Sequence, residues 1–445
     1  MIEMLDALSH ASPLSGVLAL AQASEAATAV QQLAEAKPID PGSTAWMLMS
    51  SAMVLLMVPG LALFYAGMVR RKNVLTTMLH SFVAMAVIGL HWVLIGYCLA
   101  FGTSFHGIIG WNWDYVAFHG ISHTALYGDK QVPELVFAMF QGKFAIITPA
   151  LISGAVAERL SFRGYIAFIL LWTTFVYCPL AHMVWAPGGW LFEKGVLDFA
   201  GGTVVHIASG FSALVLVWII GNRRDYPDGA IMPNSLVLTL TGAGLLWFGW
   251  FGFNAGSAVA VEHPVAGSTA VLAFTTTQTA AAAAALLWMF LEWRHTGKPT
   301  SLGVASGIVA GLVAITPAAG HVTPLWAMFI GAMGSCACYF AVQLKAWHKH
   351  DDSLDAFGVH GVGGLCGALL TGVFCFVPAA GLVNGGGFAQ LGKQALGAGV
   401  GIAMACVGTL IIGWLVHATL GLRVTEQQER DGLDITIHGE RGYHL

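Results

Sequence analysis

Charged side chains are scarce in this chain. Asp, Glu, Lys and Arg make up 9% of its 445 residues, whereas a soluble domain carries about 25%. The net charge of −4 is small, and the basic residues are scattered rather than clustered. A nucleic-acid partner therefore has no support. Because 57% of the residues are hydrophobic, an ordinary soluble domain is also excluded.

Metal-binding cysteine patterns are missing as well. The seven cysteines include no C-x-x-C pair and no zinc spacing, and all of them lie in apolar stretches. A free cysteine in such a place behaves as a small hydrophobic residue. The sequence therefore predicts no metal site built on cysteine, and we expect no cofactor.

Long apolar runs fill most of the chain. A helix of about 20 residues crosses a hydrocarbon core of about 30 Å, and the runs are too long for the roughly 10-residue strands of a membrane barrel. We expect an all-α polytopic membrane protein with 11 transmembrane helices. The predicted spans are 45–69, 75–103, 132–157, 164–187, 199–222, 233–257, 266–292, 301–318, 323–345, 356–377 and 393–421.

Basic residues orient these spans. With eleven of them, 14 of the 19 Lys and Arg residues fall on one side, and the positive-inside rule makes that side cytoplasmic. They are Arg70, Arg71, Lys72, Arg159, Arg163, Arg223, Arg224, Arg294, Lys298, Lys345, Lys349, Arg423, Arg430 and Arg441. The N-terminus is then outside and the C-terminus is cytoplasmic.

Three regions follow from this threading. Residues 1–44 form an N-terminal extracytoplasmic segment, in which Ala21-Gln22-Ala23 resembles a signal-peptide cleavage site, although no Lys or Arg precedes its apolar run. Residues 45–421 form the membrane domain. Residues 422–445 form a charged cytoplasmic tail, in which we predict a short helix. Most such tails are solvated.

An acid and a histidine eight residues apart occur twice. Asp198 precedes His206, Asp352 precedes His360, and a glycine stands four residues after each histidine. A single histidine in an apolar run is more often a satisfied core residue. Titratable groups inside a membrane are costly, so a second copy at the same spacing favours a transport pathway.

Two further signatures also recur, in the same order in both halves of the chain. They are Phe64–Gly67 with Phe253–Gly256, and Ile147–Ala150 with Ile315–Ala318. They predict a repeat of spans 1–5 by spans 6–10, followed by span 11. Since five is an odd number, the second copy is inverted, and inverted repeats place a site near the bilayer midplane. We expect His206 and His360 to meet there.

The chain resembles the ammonium transporter (Amt/Mep/Rh) superfamily, on its bacterial ammonium transporter branch. The segments that carry the resemblance are Ala181–Trp185, Asp198–His206, Trp250–Ser257 and Asp355–Gly361. The resemblance implies a bacterial inner-membrane protein that assembles as a homotrimer, with one pore inside each protomer. It also implies a cytoplasmic tail of the kind that can meet a PII-type signalling protein in relatives, which makes such a protein a candidate partner at the cytoplasmic face.

The resemblance also assigns site residues. Trp185, Phe144, Ser257 and Asp198 correspond to the outer recruitment site, Phe144 and Phe253 to a stacked gate, and His206 and His360 to the pore pair. Further candidates are Phe140, Trp250, Asp352 and Asp355. Aromatic faces attract a small cation by about 0.5–2 kcal/mol. Without the resemblance, ordinary core packing is an equal interpretation of the two phenylalanines.

Ammonium is the substrate that these residues imply. We expect it to bind outside, lose a proton, cross as ammonia beside the two histidines and regain a proton inside. Asp198 also stands where an aspartate commonly caps a helix, and we favour that role together with an effect of its charge on the vestibule. Lys143, next to Phe144, departs from the expected pattern. It would weaken the recruitment assignment if it pointed into the vestibule.

Three alternatives stay open. The first is a Rh-type channel that passes ammonia or carbon dioxide without net charge. The second is an ammonium sensor that signals through its tail. The third is a membrane metalloenzyme using Asp198, His206 and His360, which we disfavour because the acid lies about two helical turns from the nearer histidine. We therefore expect a transporter rather than an enzyme.

Overall fold

The fold is that of a computed structural model, which describes residues 38–227, 232–260 and 264–443. The side chains of residues 264–268 and 346–347 are not described. Residues 1–37, which include the expected signal-peptide site, lie outside the described residues.

Eleven apolar helices form the body of the described chain. They are α1 (Pro41–Met68), α2 (Arg71–Phe101), α3 (Glu134–Val156), α4 (Phe162–Glu193), α5 (Gly202–Ile220), α6 (Leu236–Gly256), α7 (Pro264–Thr296), α8 (Ser301–Ile315), α9 (Pro324–Trp347), α10 (Phe357–Phe374) and α11 (Ala389–Thr419). Ten are long and apolar enough to span a membrane, and α8 is shorter at 15 residues. The all-α polytopic fold is confirmed, and each helix overlaps its predicted span.

A short hairpin follows α2 and was not predicted. Strand β1 (Thr103–Phe105) pairs antiparallel with β2 (Ile109–Trp111). The turn between them includes Gly107, whose φ is 74°, a conformation that glycine adopts without steric cost. The hairpin packs on the end of α4, because the Trp190 N–H donates to the Gly107 carbonyl at 2.8 Å.

The inverted repeat brings α5 and α10 together. A Cβ added to Gly210 in α5 would collide with the backbone of Gly361 in α10. Reciprocally, a Cβ on Gly364 would lie 2.9 Å from the Gly202 carbonyl and 3.0 Å from the Cβ of His206. Small residues of this kind let helix backbones approach closely. The two glycines after the histidines therefore set the distance between the helices that carry the imidazoles.

Charged loops gather at one end of the molecule. Glu158, in the α3–α4 loop, pairs with Arg70 at 3.0 Å and with Arg223 at 3.1 Å. Arg223 also pairs with Asp351 at 2.7 Å, and Arg159 lies 3.7 Å from the same carboxylate. We call this end, with residues 422–443, the tail face. The opposite end, with Trp185 and Ser257, is the vestibule face.

The tail is packed rather than solvated, unlike most charged tails. It forms two short helices, α12 (Glu426–Asp431) and α13 (Leu433–His438). Asp434 is buried, and its carboxylate accepts hydrogen bonds from the N–H groups of Leu75 and Thr76 at 3.0 and 2.8 Å. The α-helical part of α2 begins at Val74. Because those N–H groups belong to its first turn, Asp434 caps a helix distant in sequence.

Candidate functional site

The N-terminus of α5 is closed by Asp198. Its carboxylate accepts hydrogen bonds from the N–H groups of Gly201, Thr203 and Val204 at 3.1, 2.9 and 3.0 Å. Burial raises the pKa of Asp198 to about 6, although these N–H donors act to lower it. The Asp198 carboxylate thus stands at the positive end of a helix dipole, just below the vestibule face.

Asp352 repeats this arrangement at the start of α10. Its carboxylate accepts from the N–H groups of Ala356, Phe357 and Gly358 at 2.9, 2.8 and 3.3 Å. Asp355 instead forms an ion pair with Lys345. Both acids lie toward the tail face, so the structure separates them from the residues of the vestibule.

Aromatic rings form a cluster at the vestibule face. Phe144 and Phe253 stack with ring centroids 4.1 Å apart and planes inclined by 27°. Phe140 and Trp185 meet Phe144 edge-on at 4.9 and 6.0 Å. Phe144 and Phe253 are 1% and 0% exposed, so the stacked rings are buried. The structure therefore brings the expected gate residues into direct contact.

Two polar groups border this cluster. The indole Nε1 of Trp185 donates to the Asp198 carbonyl at 2.8 Å, which fixes the ring over the start of α5. The Ser257 hydroxyl donates to the Phe253 carbonyl at 2.8 Å. A hydroxyl that donates its hydrogen to a carbonyl keeps its own lone pairs free as acceptors. Ser257 is half-buried, so those lone pairs are within reach of a small cation.

The two imidazoles lie below the phenylalanine stack. Their Nδ1 atoms are 3.2 Å apart, and their rings are nearly parallel, with centroids 5.2 Å apart and planes inclined by 17°. The Trp250 ring stacks on His206 at 5.4 Å and donates its Nε1–H to Thr316 at 2.8 Å. Among the described residues, His206 Nε2 has no hydrogen-bond partner. The predicted meeting of the two histidines is thus seen in the geometry.

A hydrogen bond between the two Nδ1 atoms requires that one of them carries a proton and the other does not. If one imidazole donates its Nδ1–H, the other accepts through a bare Nδ1. In the neutral pair, the donor ring then has an unprotonated Nε2 and its partner carries an Nε2–H. The pair offers one acceptor and one donor to anything that passes it.

A narrow cavity surrounds the histidines. The volume open to the centre of a water-sized sphere is about 10 Å³, roughly what one water molecule needs. Its other lining residues are apolar: Met57, Leu61, Phe64, Ile147, Leu151, Val205, Leu246, Trp250, Phe253 and Val309. Such walls offer no replacement for the hydration shell of an ion.

Lys143 does not line this cavity. It is half-buried on α3, beside Phe144 in sequence.

Comparison with known proteins agrees with this geometry. The model of the Ammonium Transporter Family matches residues 45–443. The chain belongs to the ammonium transporter family. It is 48% identical to an ammonium transporter of Aquifex aeolicus over 416 residues, covering 92% of this chain and 95% of that one. It is 44% identical to one of Bacillus subtilis over 408 residues, covering 90% and 98%.

Solved structures of family members share the fold. The crystal structure of Saccharomyces cerevisiae Mep2 aligns with a TM-score of 0.80 at 35% identity, covering 88% of this chain and 89% of that chain. A structure titled Sensor Amt Protein aligns with a TM-score of 0.81 at 30% identity, covering 89% and 98%. This family member is therefore a multi-pass membrane protein of the ammonium transporter fold.

Sequence reasoning missed one part of the site, which is a pair of glutamines in α11. Gln394 is 1% exposed, and it bonds to both backbone groups of Leu197, the neighbour of Asp198. Gln390, one turn earlier, donates to the Gly195 carbonyl at 3.0 Å. The available signal was the spacing of the two amides, four residues apart and so on one face of the helix.

Proposed function

We propose that this chain transports ammonium by binding the cation at the vestibule face and conducting ammonia past His206 and His360. The observation that carries the proposal is the pair of nearly parallel imidazoles in a small apolar cavity, covered by the Phe144–Phe253 stack. Ionisable groups inside a membrane are costly, and where they occur they mark a transport pathway.

Recruitment uses Trp185, Phe144, Ser257 and Asp198. Ammonium sits over the aromatic faces, where a cation gains about 0.5–2 kcal/mol, and donates a hydrogen bond to the Ser257 hydroxyl. The carboxylate of Asp198, buried behind Trp185, adds a negative field without touching the substrate. None of these groups is a strong base, so the cation is held before its proton is removed.

Passage through the cavity requires loss of the proton. In this proposal the proton crosses separately through the imidazole pair and rejoins ammonia at the tail face, so that each cycle moves one positive charge. Moving a bare cation between apolar walls would forfeit its hydration at a cost of many kcal/mol, whereas ammonia is neutral. The unprotonated Nε2 of the imidazole pair accepts a hydrogen bond from ammonia, and the Nε2–H of the other ring donates one. Potassium is rejected because it has no proton to lose.

Currents on a solid-supported membrane test this function. Liposomes with the purified wild-type protein should give a transient current after an ammonium jump and none after an equal potassium jump. Absence of an ammonium current would favour the Rh-type alternative, which moves no net charge. Equal currents with both ions would contradict the proposal.

Assembly and orientation belong to the same proposal. The chain forms a homotrimer in the bacterial inner membrane, with the tail face in the cytoplasm and the N-terminus outside. The arginines clustered at the tail face support that orientation under the positive-inside rule. They are Arg70, Arg159 and Arg223. Crosslinking in native membranes should stop at a three-chain product, and a two-chain limit would contradict the trimer.

A PII-type signalling protein is the partner proposed for the tail face. Both tail helices dock on loops of that face, so a partner bound there meets the tail and the pore exit together. A pull-down with full-length protein and with protein truncated after residue 421 tests this. Equal absence of binding in both would remove the partner, and with it the support for a sensor that signals through the tail.

A further inference from the structure

The stretch between α4 and α5 has no regular secondary structure, yet it carries Asp198. Residues 196–201 contain neither helix nor strand. Asp198 reaches the N-terminus of α5, and its backbone carbonyl holds the Trp185 indole. Any movement of this stretch would therefore move both the carboxylate and the aromatic ring of the recruitment site.

A single side chain from α11 holds this stretch at two points. The Oε1 of Gln394 accepts from the Leu197 N–H at 2.7 Å, and its Nε2 donates to the Leu197 carbonyl at 2.6 Å. The same Nε2 also donates to the Ala368 carbonyl of α10 at 3.2 Å. The amide thus satisfies both backbone groups of the residue before Asp198 and ties them to α10.

Gln390 supports this amide. Its Nε2 donates to the Gly195 carbonyl at 3.0 Å and to the Oε1 of Gln394 at 3.3 Å. Both glutamines are nearly inaccessible to solvent, at 3% and 1% exposure. The amide oxygen and nitrogen of Gln394 are both bonded, and a buried amide bonded in this way rigidifies its surroundings, because leaving either group unpaired costs free energy.

We propose that Gln394, supported by Gln390, is a positioning residue for ammonium recruitment, acting through Leu197 on Asp198 and Trp185. The inference rests on the proposed function and extends it to α11, a helix outside both repeats. Gln394 does not touch the substrate. It holds the carboxylate and the indole at fixed places relative to α10, so that the vestibule is formed before ammonium arrives.

The substitution Gln394→Met tests the proposal, because it keeps the side-chain length and removes both hydrogen-bonding groups. We expect the half-saturating ammonium concentration to rise about tenfold while the maximum current stays within about twofold, since recruitment is loosened and the histidine cavity is untouched. Thr409→Val is the matched control. It removes a buried α11 group that accepts from Trp172 at 3.1 Å, while Ser212 still accepts from that indole.

A second measurement separates positioning from a general loss of structure. Half-saturation should depend on pH through the ionisation of Asp198, and Gln394→Met should shift the midpoint of that dependence, whereas Thr409→Val should not. If Gln394→Met does not accumulate, Gln390→Met should show the same changes at smaller size. An unchanged half-saturation in these variants, or the same changes in the control, would overturn the inference. Loss of the wild-type ammonium current would instead reject the proposed function.

Discussion

Asp198 acts on ammonium recruitment from a buried position. Its carboxylate is buried and bonded to three backbone N–H groups, so it acts on a cation by its field rather than by contact. A field of this kind exists only while the group is ionised. Its effect on transport should therefore follow its protonation.

Lowering the external pH through about 6 should weaken recruitment. Burial raises the pKa of Asp198 to about 6, so the carboxylate is negative above that pH and neutral below it, while ammonium stays protonated throughout. We expect the half-saturating ammonium concentration to rise severalfold as the pH falls.

The variant Asp198→Asn should show weak recruitment at every pH and no such midpoint. This variant also shows which carboxylate causes the pH dependence, since burial likewise raises the pKa of Asp352 to about 6. A wild-type half-saturation that is constant across this range would contradict a role for the charge of Asp198.

Residue types and spacing predicted much of the site. The repeated Asp–His spacing placed His206 near His360, and their Nδ1 atoms are 3.2 Å apart. The same spacing could not show that Gln394 lies beside Leu197, because these residues are 197 positions apart in sequence. Polar partners that pack across the fold leave little local pattern, whereas groups on one helix do.

At the scale of elements, the apolar runs gave the helices but not all of their ends. The span predicted at 164–187 continues as α4 to Glu193, since a short turn after Trp185 is followed by more helix. The packed tail was also unforeseen. Its charged sequence predicts a solvated tail, yet Asp434 and Glu429 are buried against loops of the tail face.

Removing the Asp434 carboxylate should release the tail. The carboxylate accepts from the N–H groups of Leu75 and Thr76 and from the Thr76 hydroxyl, and loss of a helix cap costs about 1 kcal/mol. We expect Asp434→Ala to speed proteolytic cleavage after residue 421 severalfold.

The matched control for the tail is Glu426→Ala, which removes an exposed carboxylate of the same tail. Limited proteolysis of the purified proteins, followed by mass spectrometry of the released peptides, compares the two. Equal cleavage rates for Asp434→Ala and wild type would show that the tail is held by other contacts.

At the scale of the whole molecule, ion pairs join four loops that are distant in sequence. Burial acts to raise the pKa of Glu158, but Arg223 and Arg70 outweigh it and hold the pKa below its usual range. The pKa of Asp351 is also lowered, because Arg223 and Arg159 outweigh its burial. These depressed values mean that folding favours the charged carboxylates.

Acid should therefore loosen the tail face. A carboxylate with a depressed folded-state pKa stabilises the fold above its unfolded pKa of about 4, and this contribution is lost as the pH falls through the folded value. The variant Glu158→Gln should lower the free energy of unfolding by about 3–5 kcal/mol at neutral pH, as expected for a broken buried pair, and flatten the acid dependence.

Thermal unfolding in detergent, followed between neutral and acidic pH, measures both effects. Asp225→Asn is the control, since it breaks a pair with Arg70 in which the Asp225 side chain is 52% exposed, and such pairs contribute about 0–1 kcal/mol. Similar losses in the two variants would mean that the buried network adds no more than a surface pair.

In the proposed mechanism, the two imidazoles make the passage selective for a species that can give up a proton. Ammonium and potassium currents of His206→Ala protein in liposomes test it most directly, with His91→Ala as control, because His91 bonds to Thr174 and does not line the cavity. We expect the His206→Ala protein to carry potassium as well as ammonium, and the control to exclude potassium as the wild type does. A His206→Ala protein that conducts ammonium and still excludes potassium would contradict it.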